Sequence, residues 1–303
     1  MERTCTAITS NDKDAVMNLE IYAPEDKSNL KGMIQICHGM TEYVWRYKSF
    51  AEYFTSRGYI VFGNDIISHG RSNTSKSLGL YFNDWRNVYD DAEKTRAYVQ
   101  EKYPYLPVYI LGFSLGSYVV RTMGSLLPYK KEILIGTGDQ PEMLMKFMQK
   151  KISKKYAGKM AYISDDIGEL LFGSYAKKFP GKQKNYWLLT DDEKRREYEE
   201  DRLVKTSVTP GFFCEFLKGM ELASIHLKMP NNTIPTIFMY GENDPVSGFG
   251  KGIQKVYRKY KKWNPNTEIM SFPGTHDILH DAGCERVFEE IYKFIERDRK
   301  SVV

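Results

Sequence analysis

The chain has 303 residues, 42% of them hydrophobic and 27% charged, with a formal net charge of +5 at pH 7. That length suits one large α/β domain carrying an insertion, and the composition excludes a disordered or collagen-like chain. The basic excess is small and both signs are spread along the chain, so no nucleic-acid partner is indicated.

The four cysteines, Cys5, Cys37, Cys214 and Cys284, lie far apart without C-x-x-C or Cys/His ligand spacing. This speaks against a zinc site or a disulfide framework and for reduced thiols in a cytoplasmic protein. The N-terminal residues run into the polar stretch Thr9–Asp14 without the apolar segment of a signal peptide, so export by that route is not expected. The longest uncharged apolar segment, Leu106–Val120, is too short and too interrupted by glycine to span a membrane.

In chain order, Thr4–Ile8 and Ala15–Tyr22 predict an antiparallel pair turning around Asn11-Asp12. Short β-branched or apolar runs then recur at Met33–Cys37, Tyr59–Gly63, Val108–Leu111, Ile133–Gly136, Thr236–Tyr240 and Glu268–Phe272. Trp45–Arg57, Asp84–Lys102, Ser114–Leu126, Phe249–Trp263 and Cys284–Asp298 carry apolar residues at three- and four-residue spacing, as helices do. The alternation predicts an α/β fold, a mostly parallel sheet with helices on both faces. It breaks between Gly138 and Met229, where about ninety residues separate strands that a crossover joins in far fewer. An inserted helical cap over 138–229 is therefore expected, within a core of 1–137 and 230–303. Pro141–Tyr156, Asp165–Phe172 and Asp191–Val204 predict its helices, and Phe147, Met148, Ile152, Leu170, Leu171 and Phe172 suit either its own core or the lining of a pocket.

Gly112-Phe113-Ser114-Leu115-Gly116 follows a predicted strand and precedes a predicted helix, the context of a nucleophile elbow. Small residues flank the serine so that it can project from a strained turn while nearby amides stay accessible. His38-Gly39-Met40 follows the strand Met33–Cys37, where the N–H of Met40 can join that of Leu115 as an oxyanion hole; the His38 ring is then a loop histidine bonded to backbone. Asp244, in an Asp-Pro turn, and His276 each follow a predicted strand, and the order Ser114, Asp244, His276 is the order of α/β-hydrolases. Serine needs a base to become nucleophilic, and histidine needs a carboxylate to fix its tautomer. Asp139, at the end of Ile133–Gly136, competes with Asp244 for the acid, and His280, four residues beyond His276, competes for the base. His276 comes sooner after its strand. His69 reads as a turn-stabilising residue and His226 as a residue of the insert without a role.

With these residues in place, the sequence resembles the monoacylglycerol lipase and lysophospholipase-like branch of the serine α/β-hydrolases, its bacterial members above all. The resemblance runs through His38-Gly39-Met40-Thr41-Glu42, Asp65 to Ser72, the elbow, Gly136 to Pro141, Phe172-Gly173-Ser174-Tyr175, Gly241 to Val246 and Pro273 to Leu279. It implies an α/β-hydrolase fold, a helical cap, ester or acyl substrates, and neither a metal nor an organic cofactor. It also offers Glu42 as a contact for a glycerol-like alcohol, against the alternative of a surface loop carboxylate. Two departures stand out: Tyr43 replaces the family's histidine after the glutamate, and Gly274-Thr275-His276 is one residue short.

The first functional reading is a serine carboxylic-ester hydrolase that acts on a monoacylglycerol, lysophospholipid or short acyl ester through an acyl-enzyme on Ser114. Amide hydrolysis of the proline-iminopeptidase type shares the fold and triad, and a non-catalytic binding protein would leave the triad unexplained. Between Pro141 and Lys159, six lysines accompany Leu144, Phe147, Met148, Ile152 and Tyr156 at helical spacing. Such a basic amphipathic helix suits contact with anionic lipid aggregates or plain solvation of the cap.

Overall fold

A strand apolar on both faces has to be covered on both, and that requirement organises this chain. The computed structural model describes residues 1–12, 15–74, 79–123, 127–226 and 233–297. Its sheet is built from β1 (Glu2–Thr9), β2 (Ala15–Ala23), β3 (Gly32–Cys37), β4 (Tyr59–Asn64), β5 (Asn73–Thr74), β6 (Val108–Phe113), β7 (Glu132–Ile135), β8 (Thr236–Gly241) and β9 (Thr267–Phe272). The order is β1-β2-β4-β3-β6-β7-β8-β9, with β5 pairing β2. β1, β2 and β5 pair antiparallel, and every pairing from β4 through β9 is parallel.

Alternate strand residues feed two cores. Ile34, Ile36, Val61, Leu111, Ile135 and Met239 pack under α1 (Lys48–Thr55) and the C-terminal α10 (Cys284–Glu296), against Phe50, Phe54, Phe288 and Ile291. Met33, Ile60, Phe62, Ile110, Leu134 and Phe238 pack on the opposite face, against α2 (Trp85–Lys102), α3 (Leu115–Met123) and α9 (Lys251–Trp263).

Between β7 and β8 the chain runs through α4 (Glu142–Lys155), α5 (Asp165–Gly168), a π turn (Glu169–Gly173), α6 (Ser174–Ala176), α7 (Asp192–Glu200) and α8 (Pro210–His226). The spacing predicts one helix over Asp165–Phe172. Instead Gly168 and Gly173, poor helix formers, bound a π turn between two short pieces. The helix expected over Trp45–Arg57 begins as a 3₁₀ turn at Val44–Tyr47 and ends at Thr55, ahead of Gly58 at φ 87°. The ends of the helices expected to reach Leu126 and Asp298 lie outside the described residues.

Helix α8 was not foreseen. Phe212, Phe213, Cys214, Leu217, Met220 and Ala223 are all buried, on several faces, so it lacks the one-sided periodicity by which helices are recognised. It packs on α4 but also on α2 and α3, where Gly219 lies against the Trp85 ring. Part of the insert thus shares the core of the sheet, and Trp187, Leu188, Leu189 and Tyr198 form a separate small cluster.

The first turn of α3 meets β3 through Gly116, where an added Cβ would lie 1.9 Å from the Cys37 carbonyl oxygen. Backbone cannot yield there as a flexible side chain would, so Gly116→Ala is expected to cost about 3 kcal/mol or more. Gly168→Ala, whose Cβ would meet only Val208 at 3.8 Å, is the comparison. It is expected to leave the denaturation midpoint unchanged or raise it, by up to about 1 kcal/mol. Equal midpoints for the two variants would contradict this packing.

Candidate active site

Ser114 joins β6 to α3 with φ 50°, a left-handed conformation costing about 1–3 kcal/mol outside glycine. Its N–H donates to the Ile135 carbonyl at 2.9 Å and its own carbonyl accepts from Ser117 Oγ at 2.6 Å, so the turn is fixed on both sides. Gly112 is required for the same reason as Gly116: a Cβ there would stand 2.5 Å from the Gly116 carbonyl oxygen.

Beyond β9, His276 Nε2 lies 2.8 Å from Ser114 Oγ and Nδ1 lies 2.9 Å from Asp244 Oδ1. A carboxylate only accepts, so Nδ1 carries the proton and the Nε2 lone pair faces the serine hydroxyl. Asp244 is fully buried and its Oδ1 also accepts from the Val246 N–H at 2.8 Å, an Asx turn through Pro245. Burial by itself would lower the His276 pKa. The charge and hydrogen bond of Asp244, with Asp277 and Glu42 farther out, outweigh it, and the net shift is upward. Gly136, at φ 60°, makes room for the ring: a Cβ there would be 2.8 Å from His276 Cε1.

The loop after β3 is braced peptide by peptide. His38 Nε2 accepts from the Ile66 N–H at 2.8 Å, so Nδ1 carries the proton and donates to the Gly39 carbonyl at 2.7 Å. In a trans peptide C=O and N–H point opposite ways, so this bond turns the Met40 N–H away from the ring. Among the described residues that N–H has no protein acceptor. Leu115 opens α3, and a first-turn N–H lacks an intrahelical partner. His38 is fully buried, and burial lowers its pKa, as suits a neutral ring with both nitrogens committed. Thr41 follows at φ 66°.

Glu42 is 2% exposed, and Oε1 accepts from the Gly39 N–H at 2.5 Å and from Tyr47 Oη at 2.7 Å. It therefore braces the loop from behind; it neither lies on the surface nor lines the cavity. Around it, Arg46 lies 3.9 Å from Glu42 and 3.6 Å from Asp277, and His280 Nδ1 lies 2.8 Å from Asp277. Glu42, Asp277 and His280 have the ligand atoms for a metal ion within 4.8 Å of one another, but the Arg46 guanidinium already supplies the positive charge to both carboxylates.

A cavity of about 590 Å³ opens over Ser114 and His276, with Met40, Thr41 and Tyr198 in its wall. Its lining includes the apolar Tyr118, Leu171, Phe172, Phe216, Met220 and Val246 and the polar or charged Ser164, Asp165, Glu169, Lys184, Asn185 and Glu199. Such a volume and mixed lining are those of small-molecule sites.

The structure thus brings Ser114, Asp244 and His276 together. Asp139 instead pairs with Lys259 at 2.8 Å, and His280 is turned to Asp277. His69 is buried beside Phe82 with Nδ1 3.0 Å from the Ile67 carbonyl, and the side chain of His226 lies outside the described residues. The sequence gives no sign of Arg46, Tyr198 or the docking of the insert on the loop after β9, where the Trp187 and Leu188 carbonyls accept the His276 and Asp277 N–H groups at 3.2 and 2.9 Å. Backbone contacts of that kind leave no residue signature.

A family model described as serine aminopeptidase, S33, matches residues 28–283. The chain is 24% identical to a monoglyceride lipase homolog of Monkeypox virus, over 88% of each chain. It is 20% identical to the monoacylglycerol lipase of Mycolicibacterium smegmatis, over 91% of each. Among solved structures, a thermostable carboxyl esterase from Bacillus coagulans in complex with glycerol superimposes with a TM-score of 0.86, at 23% identity over 98% of each chain.

With His276 as the base, a raised pKa would set the acid limb of reactivity, because only a neutral ring accepts a proton. Labelling of Ser114 by a fluorophosphonate is expected to fall on acidification with a midpoint above the ordinary 6.5. Asp244→Asn is expected to lower that midpoint and slow labelling by about 10⁴-fold. A midpoint at or below 6.5 in the unsubstituted protein would contradict the charge coupling.

Proposed function

We propose that this chain, which belongs to the serine aminopeptidase S33 family, hydrolyses carboxylic esters of single-chain lipids, with Ser114 as nucleophile, His276 as base and Asp244 as its orienting acid. The observation that carries this reading is the unbroken chain from Asp244 Oδ1 through His276 to Ser114 Oγ, opening into a cavity lined by both apolar and polar residues.

Ser114 Oγ attacks the acyl carbonyl as its proton passes to His276 Nε2, and the charge on the carbonyl oxygen is met by the N–H groups of Met40 and Leu115. One such donor is worth about 3 kcal/mol in the transition state. The imidazolium, held against Asp244, returns the proton to the leaving alkoxide. Water then loses a proton to Nε2 and attacks the acyl-enzyme, and the proton returns to Ser114 as the acid leaves.

The apolar lining residues suit one acyl chain and the polar ones a hydrophilic leaving group, as in a monoacylglycerol, a lysophospholipid or a shorter ester. The names of the viral and mycobacterial relatives and of the esterase support ester over amide chemistry. Glu42 serves the oxyanion loop in this reading, and the alcohol meets the polar residues of the cavity instead.

The outer surface of α4 supports contact with lipid aggregates. Met145 and Ile152 are its buried residues, whereas Met143 is 85% and Phe147 64% exposed. They share the helix with exposed Lys150, Lys151 and Lys154. Among the described residues no helix is long and apolar enough to cross a membrane. The cysteines are free, which suits a reducing cytoplasm.

Turnover of monoacylglycerols, lysophospholipids and graded aryl esters, with aminoacyl anilides alongside, tests the activity. Ser114→Ala is expected to abolish ester turnover by several orders of magnitude while the fold persists. Turnover retained by that variant would refute the reading, and turnover of anilides alone would favour the peptidase. Binding to anionic vesicles is expected to exceed binding to neutral ones and to fall when Lys150, Lys151 and Lys154 become glutamine. Equal binding to both would remove the membrane contact.

A further inference from the structure

Thr41 is a β-branched residue in a backbone region that favours glycine, and it directly follows Met40, which lines the cavity and whose N–H has no protein acceptor among the described residues. Two contacts hold it there. Its Oγ donates to the Met40 carbonyl at 2.5 Å and lies 2.6 Å from Tyr198 Oη. A threonine hydroxyl has one proton, already given to Met40, so the phenol is the donor in the second bond. The relay therefore runs from Tyr198 through Thr41 to the peptide just after the Met40 N–H.

Tyr198 belongs to α7 in the insert, is 6% exposed, and has the Arg46 guanidinium 4.7 Å from its ring centre. Arg46 in turn faces the Glu42 and Asp277 carboxylates. Just ahead of α7, the Thr190 and Asp191 N–H groups donate to Asp281 at 2.8 and 2.9 Å, beside the Trp187 and Leu188 contacts with the base loop. One stretch of the insert thus touches both halves of the reaction centre, the base loop through 187–191 and the oxyanion loop through Tyr198.

We propose that the Tyr198–Thr41 hydrogen bond is a latch by which helix α7 sets the oxyanion hole, making Tyr198 and Thr41 positioning residues for ester hydrolysis. The proposal rests on the reading of this site as an ester hydrolase with Met40 N–H as an oxyanion donor. A direct role for Tyr198 on substrate is the rival account, because its side chain also borders the cavity.

A double-mutant cycle on a short aryl ester separates them. Tyr198→Phe, which keeps the ring and loses the donor, is expected to lower kcat about tenfold with KM changed less than twofold. The affinity of a trifluoromethyl ketone, which presents an oxyanion to the hole, is expected to fall by the same factor as kcat/KM. Thr41→Ser, which keeps the hydroxyl, is expected to retain at least half of kcat. In a Thr41→Gly background, Tyr198→Phe is expected to cost less than a further twofold. An equal loss in both backgrounds would overturn the latch in favour of direct substrate contact, and a lowered melting temperature with unchanged kcat would overturn it in favour of a structural role. Failure of the hydrolase reading is distinct: the unsubstituted protein would then neither turn over the ester nor take up fluorophosphonate at Ser114, and the latch would fall with it.

Discussion

Two N–H groups from separate elements can face one point only if the backbones carrying them come closer than side chains allow. Here that approach is made by the first turn of α3 under the end of β3, where Gly116 lies against the Cys37 carbonyl and Gly112 against Gly116. The rest of the site follows from it. Ser114 is forced into a left-handed turn, Leu115 begins its helix beside the loop after β3, and the His38 imidazole, bonded to the Gly39 carbonyl, turns the Met40 N–H away from itself. The parallel sheet supplies the remaining members at the same edge, because Asp244 and His276 both leave the carboxyl ends of β8 and β9. There Gly241 admits the Thr275 carbonyl so closely that a Cβ would stand 1.8 Å from it.

The second organising feature is electrostatic. Asp244, Asp277 and Glu42 are buried around one imidazole, an arrangement that would be costly if the carboxylates were left unpaired. Asp277 shows how the cost is met. Burial would raise its pKa, but His280, Arg46 and His276 together hold it below the usual carboxylate value. Glu42 accepts from Gly39 and Tyr47, so the same carboxylate that favours a protonated His276 also fixes the backbone of the loop after β3. Charge and loop geometry are therefore two effects of one cluster.

Much of this was legible in the sequence because it is carried by residue type at a fixed place. The elbow glycines, the Asp-Pro turn and the histidine after the last strand each announce a local conformation, and the alternating strands announce a sheet covered on both faces. What was not legible depends on distant contacts. Helix α8 is apolar on several faces because it bridges the insert and the sheet layer, so its sequence lacks a one-sided pattern. Glu42 suggested a ligand or surface residue, and only the fold reveals the Gly39 N–H and Tyr47 hydroxyl that occupy it. Tyr198 lies 157 positions from Thr41, and nothing near either residue points to the other.

The central claim, that a glycine-permitted approach of α3 to β3 aims two amides at one oxygen over Ser114, is tested most directly by a crystal structure of the protein with a long-chain phosphonate bound covalently to Ser114. The expected result places the phosphoryl oxygen within hydrogen-bond reach, about 3 Å, of both the Met40 and Leu115 nitrogens, with the chain along Tyr118, Phe216 and Met220. A phosphoryl oxygen turned from either amide, or an adduct at another residue, would contradict the account.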